Sequence, residues 1–82
     1  MNRDETIRTL SRRMKTRMFE IGMTETRLAK EIGTNAESIG GYVRMLHFPS
    51  AFKLAQIAEV LQCSTDWLLG REKHYDIERR EL

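Results

Sequence analysis

The chain has 82 residues, 40% hydrophobic and 32% charged, with a formal net charge of +2. That composition describes one small globular domain with a thin core and a wide charged surface, and excludes a collagen-like or low-complexity polymer. No apolar run approaches the ~20 residues that a bilayer-spanning helix needs, and the lone cysteine, Cys63, cannot close an internal disulfide.

The polar N-terminus lacks the apolar core of a signal peptide, and with the single thiol this gives the expectation of a cytoplasmic protein. Residues 4–21 predict a first helix, because Ile7, Leu10, Met14, Met18 and Ile21 recur at steps of three and four and share one face. Asp4 and Glu5 suit the positive end of the helix dipole, and Gly22 suits the residue just past the helix end. Arg8, Arg12, Arg13, Lys15 and Arg17 make a run of five basic residues without an acidic one. Such a run is either a solvated helix face or a surface for phosphates.

Thr24 predicts the cap of a second helix with the stripe Leu28, Ala29 and Ile32, ended by Gly33. A helix of two turns does not stand alone in water and needs tertiary support. Asn35 predicts the cap of a third helix, from Ala36 to about Arg44, with Ile39 and Tyr42 facing inward and Val43 beside them. Gly40 and Gly41 run against it: each costs about 1 kcal/mol relative to alanine inside a helix, so close packing or function must compensate.

Met45 to Pro49 predicts a loop, and an apolar one, whose Leu46 and Phe48 either pack on the core or meet a partner. Ser50 predicts the cap of a fourth helix carrying Phe52, Leu54, Ile57, Ala58 and Leu61. Ser64 predicts the cap of a short fifth helix, Thr65 to Leu69, which Gly70 stops and whose Trp67 closes on the first helix. There is no strand pattern and no internal repeat, so the fold class is all-α. Residues 1–70 form the expected domain. Residues 71–82 form a tail with four basic and four acidic residues, readable as a short helix or as disorder, in which Tyr75 and Ile77 offer apolar contacts for assembly.

The segment Glu25 to Arg44 is the most informative. Two short helices meeting near a right angle need a small residue at closest approach, which is Ala29, and a left-handed residue in the turn, which is Gly33. The second of the pair must anchor its inner face, through Ile39 and Tyr42, while its outer face stays free. This stretch resembles the helix-turn-helix of the lambda-repressor/Cro family, also called the xenobiotic-response-element family. The resemblance continues through the fourth helix to Leu61-Gln62-Cys63-Ser64-Thr65-Asp66-Trp67-Leu68-Leu69-Gly70 and covers roughly residues 7 to 70.

The resemblance implies a compact five-helix domain whose third helix enters the DNA major groove. It implies base-reading positions at Asn35, Ala36, Glu37 and Gly41, and phosphate contacts at Lys15, Arg17, Thr24, Glu25, Arg44 and Lys53. It implies a homodimer paired through Gln62, Cys63, Thr65 and Asp66 on a palindromic operator, that is, a Cro-like phage or prophage repressor. Autoregulators of the antitoxin or controller type are alternatives of similar size. So is a protein-interaction module that keeps the fold without reading DNA. The chain departs from the family where Glu25 stands in place of a common glutamine, and where Ala36 and Gly41 stand in place of glutamine, arginine or serine. Glu37 can accept from a cytosine amino group and Ala36 can touch a thymine methyl. Arg44 is readable as a phosphate contact or as a charge at a helix C-terminus, and Cys63 as a packing residue beside the pairing surface.

No set of nucleophile, base and orienting group is present, nor a glycine-rich phosphate loop, so no enzyme is expected. His47 and His74 are too few and too far apart for a metal site. No cofactor or small-molecule ligand is expected.

Overall fold

The computed structural model describes residues 1–73 and, among them, places five helices: α1 (Arg3–Ile21), α2 (Glu25–Glu31), α3 (Ala36–Val43), α4 (Ala51–Leu61) and α5 (Thr65–Leu68). Each starts on a side-chain cap. Asn2, Thr24, Asn35, Ser50 and Ser64 hold extended backbone, and each side-chain oxygen accepts a backbone N–H three residues on. Four of these caps match the sequence reading; the fifth, Asn2, moves the start of α1 one residue earlier than Asp4.

The helices also end alike. Gly22, Gly33, Met45, Gln62 and Gly70 all have positive φ. The residue after each donates back five positions: Met23 to Met18 at 2.8 Å, Thr34 to Ala29 at 2.9 Å, Leu46 to Gly41 at 2.8 Å, Cys63 to Ala58 at 3.0 Å and Arg71 to Asp66 at 2.7 Å. This is the Schellman closure, which satisfies carbonyls that a helix end leaves open. At Gly33, with φ of +72°, it makes the tight turn between α2 and α3.

The core is one cluster threaded by α1. Leu10, Met14, Leu28, Ile39, Ile57, Leu61 and Leu68 are all fully buried, with Trp67 and Tyr42 close behind. The predicted apolar face of α1 is therefore the buried one, with Ile21 half-buried at its end. Phe52, one of the apolar residues carried by α4, is 72% exposed. The helical period gives the reason: residues 54, 57, 58 and 61 share one face, and residue 52 falls opposite. Leu46 is exposed too, while Phe48 packs half-buried with the Arg3 guanidinium 5.1 Å above its ring.

The C-terminal carbonyls of α3, α4 and α5 have a second set of partners, all from α1. The Ser11 hydroxyl donates to Val43 O, Arg17 Nε to Leu61 O at 2.8 Å, and Arg13 Nη1 to Trp67 O. None of those three helices carries a basic residue in its own last turn, so α1 supplies the positive charge that two of these negative helix ends favour. Arg13 also lies over the Trp67 ring at 4.9 Å, and burial, with Arg12 next to it, pulls its pKa down from the ordinary arginine value. Residues just beyond Gly70 join this packing: Arg13 donates to Glu72 O at 2.7 Å, and Ser64 donates its hydroxyl to Glu72 Oε1 at 2.6 Å. The remainder of the tail, with His74, Tyr75 and Ile77, lies outside the described residues.

Candidate nucleic-acid interface

α2 and α3 pack closely on each other around Leu28, Ala29, Ile39 and Tyr42, all buried. That arrangement fixes which face of α3 is left over. With about 100° of turn per residue, Ile39, Tyr42 and Val43 point inward, while Glu37, Gly41 and Arg44 line the opposite side with Gly40 beside them. Glu37 and Arg44 are exposed. Asn35, at the exposed start of the helix, uses Oδ1 to cap Ser38 N at 2.8 Å, which leaves its amide N–H groups as donors on the outside. Ala36 is half-buried in the first turn.

Gly41 has no open face, because the loop after α3 brings His47 back over it. A Cβ on Gly41 would meet the imidazole, Nε2 first and Cε1 at 2.8 Å. The His47 ring is also edge-on to Tyr42, with centroids 5.1 Å apart and planes at 89°. Gly40 is covered in the same manner by the Arg44 guanidinium, with Nη2 at 2.7 Å from the Cβ position. His47 did not figure among the expected site residues. The doubled glycine was its one trace in the sequence.

The basic run divides by helical position. Arg8, Arg12 and Lys15 are exposed on the outer side of α1. Arg17, expected at phosphate, is turned the other way: its side chain is 12% exposed, bonded to Leu61 O and paired with Glu20 at 3.1 Å. It holds α1 to α4. Thr24 is exposed with its hydroxyl oxygen accepting Arg27 N at 3.1 Å, Glu25 is half-buried behind it, and Lys53 is half-buried in the first turn of α4.

The expected pairing residues also separate. Gln62 is exposed, and Thr65 and Asp66 are half-buried. Cys63 is 2% exposed and belongs to the core, where burial pushes its thiol pKa up to about 11 against a smaller opposing pull from Arg17. It offers a second chain no surface, because the left-handed turn at Gln62 directs it inward.

Among the described residues, no three of His, Cys, Asp and Glu come together as a metal-binding group would, and no helix is long and apolar enough to cross a membrane.

A helix-turn-helix family model matches residues 14–68. The chain belongs to the lambda-repressor/Cro-like helix-turn-helix family. Among solved structures it is similar to the repressor of phage P22, described as "Crystal structure of the P22 c2 repressor protein in complex with synthetic operator 9T in the presence of Tl+". The two share 25% sequence identity and superpose with a TM-score of 0.73, over 77% of this chain and 96% of the other. A comparison with curated proteins finds no match. The five-helix all-α fold expected from the sequence is the fold observed.

Proposed function

We propose that this chain is a sequence-specific DNA-binding transcription regulator, a repressor of the Cro-like phage or prophage kind, which acts as a homodimer on a palindromic operator. The observation that carries the reading is the outward face of α3. It is held from behind by Ile39 and Tyr42 and presents Glu37, Arg44 and the capping Asn35 to solvent. A helix so mounted fits the major groove, where a carboxylate accepts from cytosine N4 and an amide donates to acceptors on base edges. Family membership and the operator-bound P22 relative support it.

In this reading Asn35, Ala36 and Glu37 face bases. Lys15, Thr24, Arg44 and Lys53 face phosphates, and Glu25 sits by the backbone at the start of α2. Arg17 does not take part, since its guanidinium serves α4.

Three cations per subunit give about six phosphate contacts in a dimer, so the log–log dependence of binding on salt has a slope on the order of −5. A gel shift against genomic fragments, titrated with salt, measures it. Absence of binding at low salt would reject the DNA reading and favour a protein-interaction role for the same fold.

A further inference from the structure

Two local choices in this chain go against backbone preference, and they meet at one place. Gly40 and Gly41 stand inside α3 (Ala36–Val43), at a cost of about 1 kcal/mol each relative to alanine. Met45 then adopts φ of +65°, a left-handed conformation that a methionine rarely takes. Together they accomplish one thing. The turn at Met45 reverses the chain after α3, and the missing side chain at position 41 opens a notch that the His47 ring fills. The ring packs T-shaped against Tyr42, with centroids 5.1 Å apart, and His47 as a residue stays exposed. Violations of local preference are what a functional site imposes on a sequence that is otherwise locally consistent.

We propose that His47 is a base-reading residue, standing where side chain 41 would stand. This rests on the DNA-binding reading above. On the outward face of α3, residues 37, 41 and 44 follow one another at steps of four and three. Glu37 and Arg44 supply chemistry at the two ends, and Gly41 supplies none. The imidazole seated on Gly41 lies on that line and not beside it. Nε2 is the ring atom seated deepest on Gly41, so Nδ1 is the nitrogen left to donate, or to accept when unprotonated, and the groove edge of each base pair presents a distinct pattern of both. Gly41 is thus a positioning residue: it acts by leaving room. The Arg44 guanidinium over Gly40 completes the pair of side chains that glycine lets lie flat on the helix.

The test uses the whole chain and random duplex DNA, with sites selected first by the wild-type protein. His47→Ala binds the best selected site about tenfold more weakly and loses base preference at one position per half-site, the other positions keeping theirs. Gly41→Ala, whose new methyl evicts the ring, gives the same loss at the same position, and the double variant is no worse than either single one. Thermal melts of His47→Ala within a few degrees of wild type separate this result from misfolding. Unchanged affinity and preference in His47→Ala would overturn the proposal. So would a loss that is uniform across sequences with a shallower salt slope, which marks a phosphate contact. If the wild-type protein selects no DNA at all, the underlying function falls; if it selects sites and His47→Ala selects the same ones, only the role of His47 falls.

Discussion

Arg17 shows how a single basic residue divides between holding the domain and facing a ligand. Its Nε–H donates to Leu61 O at 2.8 Å in a half-buried setting, where α4 leaves its last carbonyls open. A hydrogen bond to a charged group is worth about 1.5–3 kcal/mol, and removing it strands an acceptor. Arg17→Ala therefore lowers unfolding stability by about 2 kcal/mol in urea titrations, while Lys15→Ala on the exposed side stays within about 0.5 kcal/mol and, in the proposed reading, weakens DNA binding uniformly across sequences with a shallower salt slope. Cys63 gives a second check at this scale. Its thiol is pushed up to about 11 from the ordinary 9.0 by burial, so the folded protein keeps a proton that the unfolded chain releases. The unfolded state then binds fewer protons between those two values, and the sign follows: stability from this group is intact below about pH 9 and falls as the pH rises toward 11. Urea midpoints measured from pH 8 to 11 fall more steeply for wild type than for Cys63→Ala; equal slopes would contradict the burial assigned here. A cation in sequence does not say which carbonyl it will face, and so nothing before the helices were in place told whether the flank of Arg13 and Arg17 or that of Arg8, Arg12 and Lys15 would meet the other helix ends. The helical period alone, applied from the buried face outward, would have separated the two groups by direction.

At the scale of the element, helix starts were legible and helix ends only partly so. Ser, Thr and Asn caps advertise themselves because their short oxygen-bearing side chains are what an orphan N–H needs, and four of the five stood where the sequence put them. Glycine advertises a left-handed closure at 22, 33 and 70 for a like reason. Met45 and Gln62 do not, because nothing in either side chain favours φ of +65° or +57°; the closure there is imposed by Leu46 N–H reaching Gly41 O and Cys63 N–H reaching Ala58 O. A residue with a Cβ in this region carries a penalty of roughly 1–2 kcal/mol that glycine escapes, offset in part by glycine's freedom in the unfolded chain. Gln62→Gly and Met45→Gly are each expected to raise stability by about 0.5–1 kcal/mol, a rise of several degrees in Tm for a domain this small. A fall in Tm would mean that the side chain, and not the turn, is what the position needs. Of the proposed recognition surface, Asn35 and Glu37 were implied by the family resemblance, and the cap at Asn35 was legible in residue type. His47 was not, because its place depends on a turn at Met45 that leaves no mark in residue type.

On the scale of the whole molecule the question is how one small domain reads enough DNA. The described chain spans 36 × 28 × 22 Å, so a pair of copies is of the size needed to set two recognition helices one DNA turn, ~34 Å, apart in successive major grooves. The surface available for pairing sets its strength. Around α5, Gln62 is exposed and Thr65 and Asp66 are half-buried, while Cys63 and Trp67 are committed to the core. Among the described residues, what remains there is polar, without the apolar centre that strengthens a standard interface. A dimer built on it is weak, and gains strength when one DNA molecule holds both subunits, since the second contact then becomes intramolecular. Sedimentation equilibrium of the free protein is therefore expected to show a monomer–dimer equilibrium that shifts with concentration, and addition of a selected operator to drive it to a complex of two subunits per duplex. Thr65→Glu, which sets a carboxylate beside Asp66 on the same polar surface and again opposite itself across a two-fold axis, weakens dimerisation and operator binding together. Half-site binding by the same variant stays near wild type, because α3 is untouched. A strict monomer that binds the operator one-to-one would reject the pairing model and leave the helix-turn-helix fold standing.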